Sequence, residues 1–200
     1  MIVNKAQLSR TLARQAPRVL ARDFERTVRR AVQGAQQLMI SKFESHAVTQ
    51  EIGGGATATN ISNTLVGAGN LANLFSFIGF ERGANPLLPI RAYLAQNLEV
   101  RKISGTSKKG VSIDFAVKVP SLDDVYKLSP IPWAPGLSWA EGIEKGIPGL
   151  GQYLTDPGKG RSGGAIQVKT MFSAAAFKSV PYLSKILQNF INDIMTGLNK

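Results

Sequence analysis

Between Pro17 and about Phe43 the apolar residues recur at helical spacing, which commits this part of the chain to a long amphipathic helix. With each residue advancing by about 100°, Leu20, Phe24, Val28, Ala31, Val32, Ala35, Leu38 and Met39 fall within an arc of roughly 120°. Arg18, Arg22, Arg26, Arg29 and Arg30 fall on the opposite arc, and Ile40 lands among them. Arg10 and Arg14 continue the spacing upstream, and Pro17, which cannot donate to an i−4 carbonyl, predicts that they sit on a separate short helix. The charge of this helix is one-sided. Of the formal net charge of +11, residues 1–50 carry nine basic and three acidic groups, a balance of +6. Such a surface suits phosphate backbones, anionic membranes or acidic protein faces.

The remaining composition closes off several classes of function. The chain has no cysteine, which excludes disulfides, thiolate metal sites and a cysteine nucleophile, and its single histidine, His46, leaves no histidine-rich metal site within one copy. The first 16 residues are interrupted by Asn4, Lys5, Gln7, Ser9 and Arg10, so they lack the apolar stretch of a signal peptide. The strongest apolar run, Leu74 to Phe80, is far shorter than the ~20 residues of a membrane span. A single domain is expected, with a basic helical region at 1–45, a loop at 46–64 rich in Gly, Thr, Ala and Asn around Gly53-Gly54-Gly55, and a region of sheet and terminal helix at 65–200.

Strand signals dominate the middle of the chain. Val111, Ile113, Phe115, Val117 and Val119 alternate with Ser112, Asp114, Ala116 and Lys118, the period of a strand with one buried face. Leu98 to Ile103 should pair with it as a hairpin across Ser104–Gly110. Ile166, Val168 and Thr170 suggest another strand, and Leu74 to Phe80 a more buried one. A short helix is expected from Ser138 to Lys145, ended by Gly146 and Pro148. The last helix shows an apolar face of Leu183, Ile186, Leu187, Phe190, Ile191, Ile194 and Leu198, with Ser179 placed to cap it and Pro181 in its first turn. The fold class that follows is α+β: a long N-terminal helix and a C-terminal helix packed on a mainly antiparallel sheet, with long loops.

No catalytic, metal or cofactor site is assembled by these residues. Gly67, Gly69 and Ala72, and again Gly158, Gly160 and Gly163, match a dinucleotide fingerprint in letters. The first match has no acid for the ribose in Leu87–Arg91, the second follows Pro157 and precedes a strand, and both read as turns. His46 has no fixed partner for general-base work and reads as solvated. Asp123 and Asp124 lack a third carboxylate for a divalent cation. Glu141 and Glu144 share a helix face, suited to pairing with Lys145 or with a neighbouring subunit. The segment Pro130-Ile131-Pro132-Trp133-Ala134-Pro135 runs on to Trp139, so both tryptophans stand in a stiff stretch. They are either core residues or anchors for another subunit.

Gly69-Asn70-Leu71, Phe75-Ser76-Phe77-Ile78-Gly79-Phe80, Pro132-Trp133, Ser138-Trp139, Gly142 to Leu150, Arg161 to Gln167 and Pro181-Tyr182-Leu183 together resemble the neck proteins of tailed bacteriophages, the tail-completion or head-to-tail joining proteins. The resemblance covers roughly residues 65–195. It implies a non-enzymatic virion protein assembled in the host cytoplasm, without cofactors or membrane contact, as a homo-oligomeric ring commonly of six copies. Such a ring lies between the head connector or adaptor proteins and the tail terminator, tube or sheath proteins, with genomic DNA in its lumen. On this reading Trp133, Trp139, Glu144, Lys145 and Ile166 make subunit contacts, and Arg18, Arg22, Arg26, Arg29 and Arg30 face DNA or a partner ring. The competing readings are a free, sequence-independent nucleic-acid-binding protein using the same arginines, and a peripheral membrane protein exposing the apolar arc.

Overall fold

The computed structural model describes residues 5–66, 73–107, 110–132, 134–146 and 177–198, with side chains for all of these except 5–20, 104–107, 110–113 and 135. It is a mixed helical and antiparallel structure, as the sequence predicts, with seven α-helices and two small sheets among the described residues. The first helix, α1 (Lys5–Ser45), has 41 residues and is therefore about 60 Å long. It runs through Pro17 without the break predicted there. A proline removes one hydrogen bond and crowds the turn before it, but the bonds on either side can carry the helix past.

Ala21, Val28, Val32, Ala35, Met39 and Phe43 form the buried stripe of α1. The C-terminal helix α7 (Leu183–Leu198) lies antiparallel along it. Phe43 meets Tyr182 at one end, with ring centroids 6.2 Å apart. At the other end the close approach of Gly197 to Ala31 leaves a methyl at position 197 only 3.2 Å from the Ala31 Cβ. Lys42 Nζ bridges the pair to Asp193 Oδ2 at 2.7 Å. This geometry corrects the apolar arc: Phe24 is 57% exposed and Leu38 52%. Advancing about 100° per residue from Leu20, the buried residues from Ala21 to Phe43 lie at about 60–140°, and Phe24 at about 40° and Leu38 at about 0° fall on one edge of that stripe. On α7, Leu183, Ile186, Leu187, Phe190 and Ile194 are buried, whereas Ile191 and Leu198 from the expected face are exposed.

The stretch read as a loop is instead ordered by short elements. Helix α2 (Ala47–Gly53) is capped by His46 and followed by a 3₁₀ turn at Gly55–Thr57. Val48, Thr49, Glu51 and Ile52 on α2 are buried. The Leu74–Phe80 run is also corrected, from strand to helix α3 (Leu74–Ile78). Asn73 caps α3 by accepting from the Ser76 N–H, and Gly79 closes it in the left-handed conformation at φ 82°. The continuous apolar run reflects burial all round, which strand and helix share.

Helix α4 (Leu88–Gln96) leads into the predicted hairpin. Strands β1 (Glu99–Ser107) and β2 (Gly110–Lys118) pair antiparallel, from Glu99 opposite Lys118 to Ser107 opposite Gly110. The expected alternation holds at its base, where Phe115, Val117 and Val119 pack against the core while Ala116 and Lys118 are exposed. Helix α5 (Leu122–Lys127) follows, then the small pair β3 (Pro130–Ile131) and β4 (Ala134–Ser138). Helix α6 (Trp139–Lys145) starts where predicted, with Ser138 accepting from the Glu141 N–H. The expected antiparallel sheet is present as two two-stranded pairs among the described residues. The strand expected at Ile166, Val168 and Thr170 lies outside the described residues.

Candidate nucleic-acid interface

The outer face of α1 carries the charge. Arg22, Arg26, Arg29 and Arg30 are all exposed, spread along about 12 Å of helix. Their surroundings differ. Arg29 donates through Nε and Nη2 to Glu25 Oε1 at 2.9 and 2.8 Å. Arg26 Nη1 lies 3.8 Å from Asp23 Oδ1, with both side chains well exposed. Arg22 and Arg30 make no ion pair among the described residues. The side chain of Arg18 is outside the described set. Exposed pairs at i,i+3 and i,i+4 contribute only about 0.2–0.5 kcal/mol each, so a polyanion can displace either acid. Gln33 and Gln37 continue the exposed surface as polar groups. Among the described side chains of this arc from Arg22 to Gln37 there is no large apolar residue, and the half-buried Ile40 follows at its end, so the arginine stretch itself offers charge and hydrogen bonds.

Of the residues expected at subunit contacts, Trp139 and Glu144 make contacts within the chain. Trp139 is 1% exposed within one chain and packs edge-on against Phe80, with centroids 5.9 Å apart and planes at 89°. The Tyr182 ring centroid stands 6.5 Å from that of Trp139, with planes at 32°. The core reading therefore holds at Trp139, because the ring has no surface left for a neighbour. Glu144 is half-buried and engaged within the chain. Its Oε1 accepts from the backbone N–H groups of Tyr182 and Ser184 at 3.2 and 2.7 Å, and its Oε2 accepts from the Tyr126 hydroxyl at 2.9 Å. Glu144, not Ser179, satisfies the open N–H groups at the start of α7. Burial together with the Glu144 carboxylate pushes the Tyr126 hydroxyl pKa up. Lys145 pairs with Glu141 at 2.7 Å, as its spacing predicts, and remains exposed. Trp133 and Ile166 lie outside the described residues, as do both glycine constellations.

His46 is not solvated as the sequence suggests; it is half-buried. Its Nδ1 accepts from the Val48 N–H at 3.3 Å, and its ring lies 4.8 Å from that of Tyr182. Burial lowers its pKa, partly opposed by a hydrogen bond to the Pro181 backbone and by the charge of Glu144. A histidine committed to capping a helix is poorly placed as a general base.

The sequence reading missed Glu51, which is fully buried. Its two oxygens accept from the Leu74 N–H at 2.7 Å and the Ser62 N–H at 2.9 Å, tying the Gly-rich stretch to α3. An acid flanked by Gln50 and Ile52 in a helical pattern was the available signal.

A groove of about 660 Å³ lies between the end of α1, α2 and the segment before α4. Its charged lining residues, Glu44 and Arg91, pair with each other at 2.7 Å. Asp124 is likewise engaged, accepting from Tyr93 and Lys127. Among the described residues no three His, Asp or Glu side chains converge as a metal site, and no helix is long and apolar enough to cross a membrane. The chain matches no protein-family model, and no curated protein or solved structure is similar to it at a significant level.

Proposed function

We propose that this chain is a non-enzymatic structural protein of a tailed-phage virion, forming a ring in the neck that joins the head connector to the tail and lets DNA pass. The observation that carries the reading is where the neck-protein-like segments meet. Phe75 and Phe80 from the Phe75–Phe80 segment, Trp139 from Ser138-Trp139, Ile143 from the Gly142–Leu150 segment and Tyr182 and Leu183 from the last are all buried in one core. Phe80, Trp139 and Tyr182 are successive neighbours within it. Among the described residues, these motifs, far apart in sequence, contribute to one core, as the motifs of a single scaffold must.

Two further observations support assembly and DNA contact. Large apolar side chains remain exposed at Phe24, Leu137, Ile191 and Met195, surface that a neighbouring subunit can cover. The arginine face of α1 supplies the charge for sequence-independent phosphate contact. That same face favours a second reading, a free DNA-binding protein.

The test is the mass of the purified chain, alone and mixed with particles that lack it, by native mass spectrometry. A discrete ring, or incorporation at a fixed copy number, supports the neck reading. A persistent monomer that ignores particles but shifts on bare DNA moves the second reading to the front.

A further inference from the structure

We infer that Asp23 and Glu25 are built-in competitors for phosphate on the arginine face of α1, so that the chain holds duplex DNA loosely, through Arg22 and Arg30 first. This rests on the DNA reading of that face and assigns the roles within it. Four arginines stand within nine residues, yet the two acids of the same stretch each contact one of them. Glu25 takes two guanidinium donors of Arg29, the fork that would otherwise clasp a phosphate. Asp23 stands beside Arg26 at the longer 3.8 Å. Arg22 and Arg30 are left as the cations whose forks meet solvent.

The partner is a nucleic-acid backbone rather than an acidic protein because the face has no apolar centre. Protein interfaces concentrate aromatic and apolar anchors in a dry core. From Arg22 to Gln37 the described large side chains of this arc are arginines, acids and glutamines spaced along one helix, which suits a polyanion of regular charge. Each phosphate that displaces Glu25 or Asp23 must first break an intrahelical pair, so the last contacts are made weakly.

The test is binding of the full chain to a random-sequence duplex of about 20 base pairs, titrated between about 50 and 200 mM salt. Glu25→Gln frees Arg29 and is expected to tighten binding about three- to tenfold at the low-salt end, and to steepen the log–log salt dependence by about 0.9. Asp23→Asn should act in the same direction with a smaller effect, following its longer contact. Glu81→Gln, which removes an equal charge from an exposed site elsewhere, serves as the control and should change little. Arg22→Ala combined with Arg30→Ala should weaken binding and flatten the slope by about 1.8, two phosphates' worth. If Glu25→Gln binds like the wild type, or no better than Glu81→Gln, while the double arginine variant weakens, the competitor role is overturned and the DNA face stands. If the wild type and Glu25→Gln both fail to bind DNA, or bind polyglutamate in preference to it, the DNA reading and this inference fall together.

Discussion

Glu144 Oε1 accepts the Ser184 N–H at 2.7 Å, a bond from α6 to the first turn of α7 across 40 positions of sequence. The same carboxylate accepts from Tyr126 on α5, so one side chain joins three helices. Hydrogen bonds to a charged group contribute about 1.5–3 kcal/mol each. Glu144→Ala should therefore cost about 3 kcal/mol and lower the cooperative melting transition, whereas Tyr126→Phe should cost about 1 kcal/mol. A double-mutant cycle by denaturant titration should show coupling between the two positions; strict additivity would remove the tie between α5 and α6.

Trp139 and Lys145 separate core from surface on a single helix. Trp139→Ala should cost about 3–5 kcal/mol, enough to unfold a marginal domain. Lys145→Ala, which breaks only the exposed pair with Glu141, should stay within about 0.5 kcal/mol. Thermal melts of the two variants check this directly. A Trp139→Ala chain that melts like the wild type would return the ring to the surface.

Glu51→Gln is isosteric, but it puts an amide N–H₂ against one of two backbone donors. The Leu74 or Ser62 N–H then loses its acceptor, at a cost of about 3 kcal/mol. Hydrogen exchange should show the loss at those two amides and through α3 before the α1–α7 seam. Unchanged protection at Ser62 and Leu74 would count against the tie.

Stability should fall in mild acid because of His46. Burial holds its folded-state pKa below the ordinary value of 6.5, so as the pH drops the unfolded chain takes up the proton first. The contribution is complete above about 6.5 and is lost progressively between there and the lowered folded value. Protonation at Nδ1 also removes the acceptor for the Val48 N–H. His46→Asn keeps a capping side chain and does not titrate, so its melting temperature should vary less than that of the wild type between about pH 7.5 and 5. Parallel profiles for the two proteins would rule out His46 as the titrating group.

Local periodicity and capping were legible in the amino-acid order. The alternation from Val111 to Val119 specified a hairpin, Ser138 and Gly146 bracketed α6, and the spacing from Leu183 to Leu198 specified α7, because each depends on residues within a turn or two. The arginine face of α1 was equally plain, since charge on one arc needs no tertiary partner. Asn73 and Gly79 were boundary signals for a helix at Leu74–Ile78, but burial on all sides erased the periodicity that would have told it from a strand.

Tertiary structure decided the rest. Whether Trp139 faced a neighbour or the core depended on Phe80 and Tyr182, which lie 59 positions before it and 43 after. Phe24 and Leu38 fell to the edge of the stripe that α1 buries, and His46, Glu51 and Glu144 acquired their roles from backbone N–H groups or ring neighbours brought to them by the fold. Helical and strand periods follow from the geometry of adjacent residues, whereas a buried carboxylate's partners are set only once distant segments have packed.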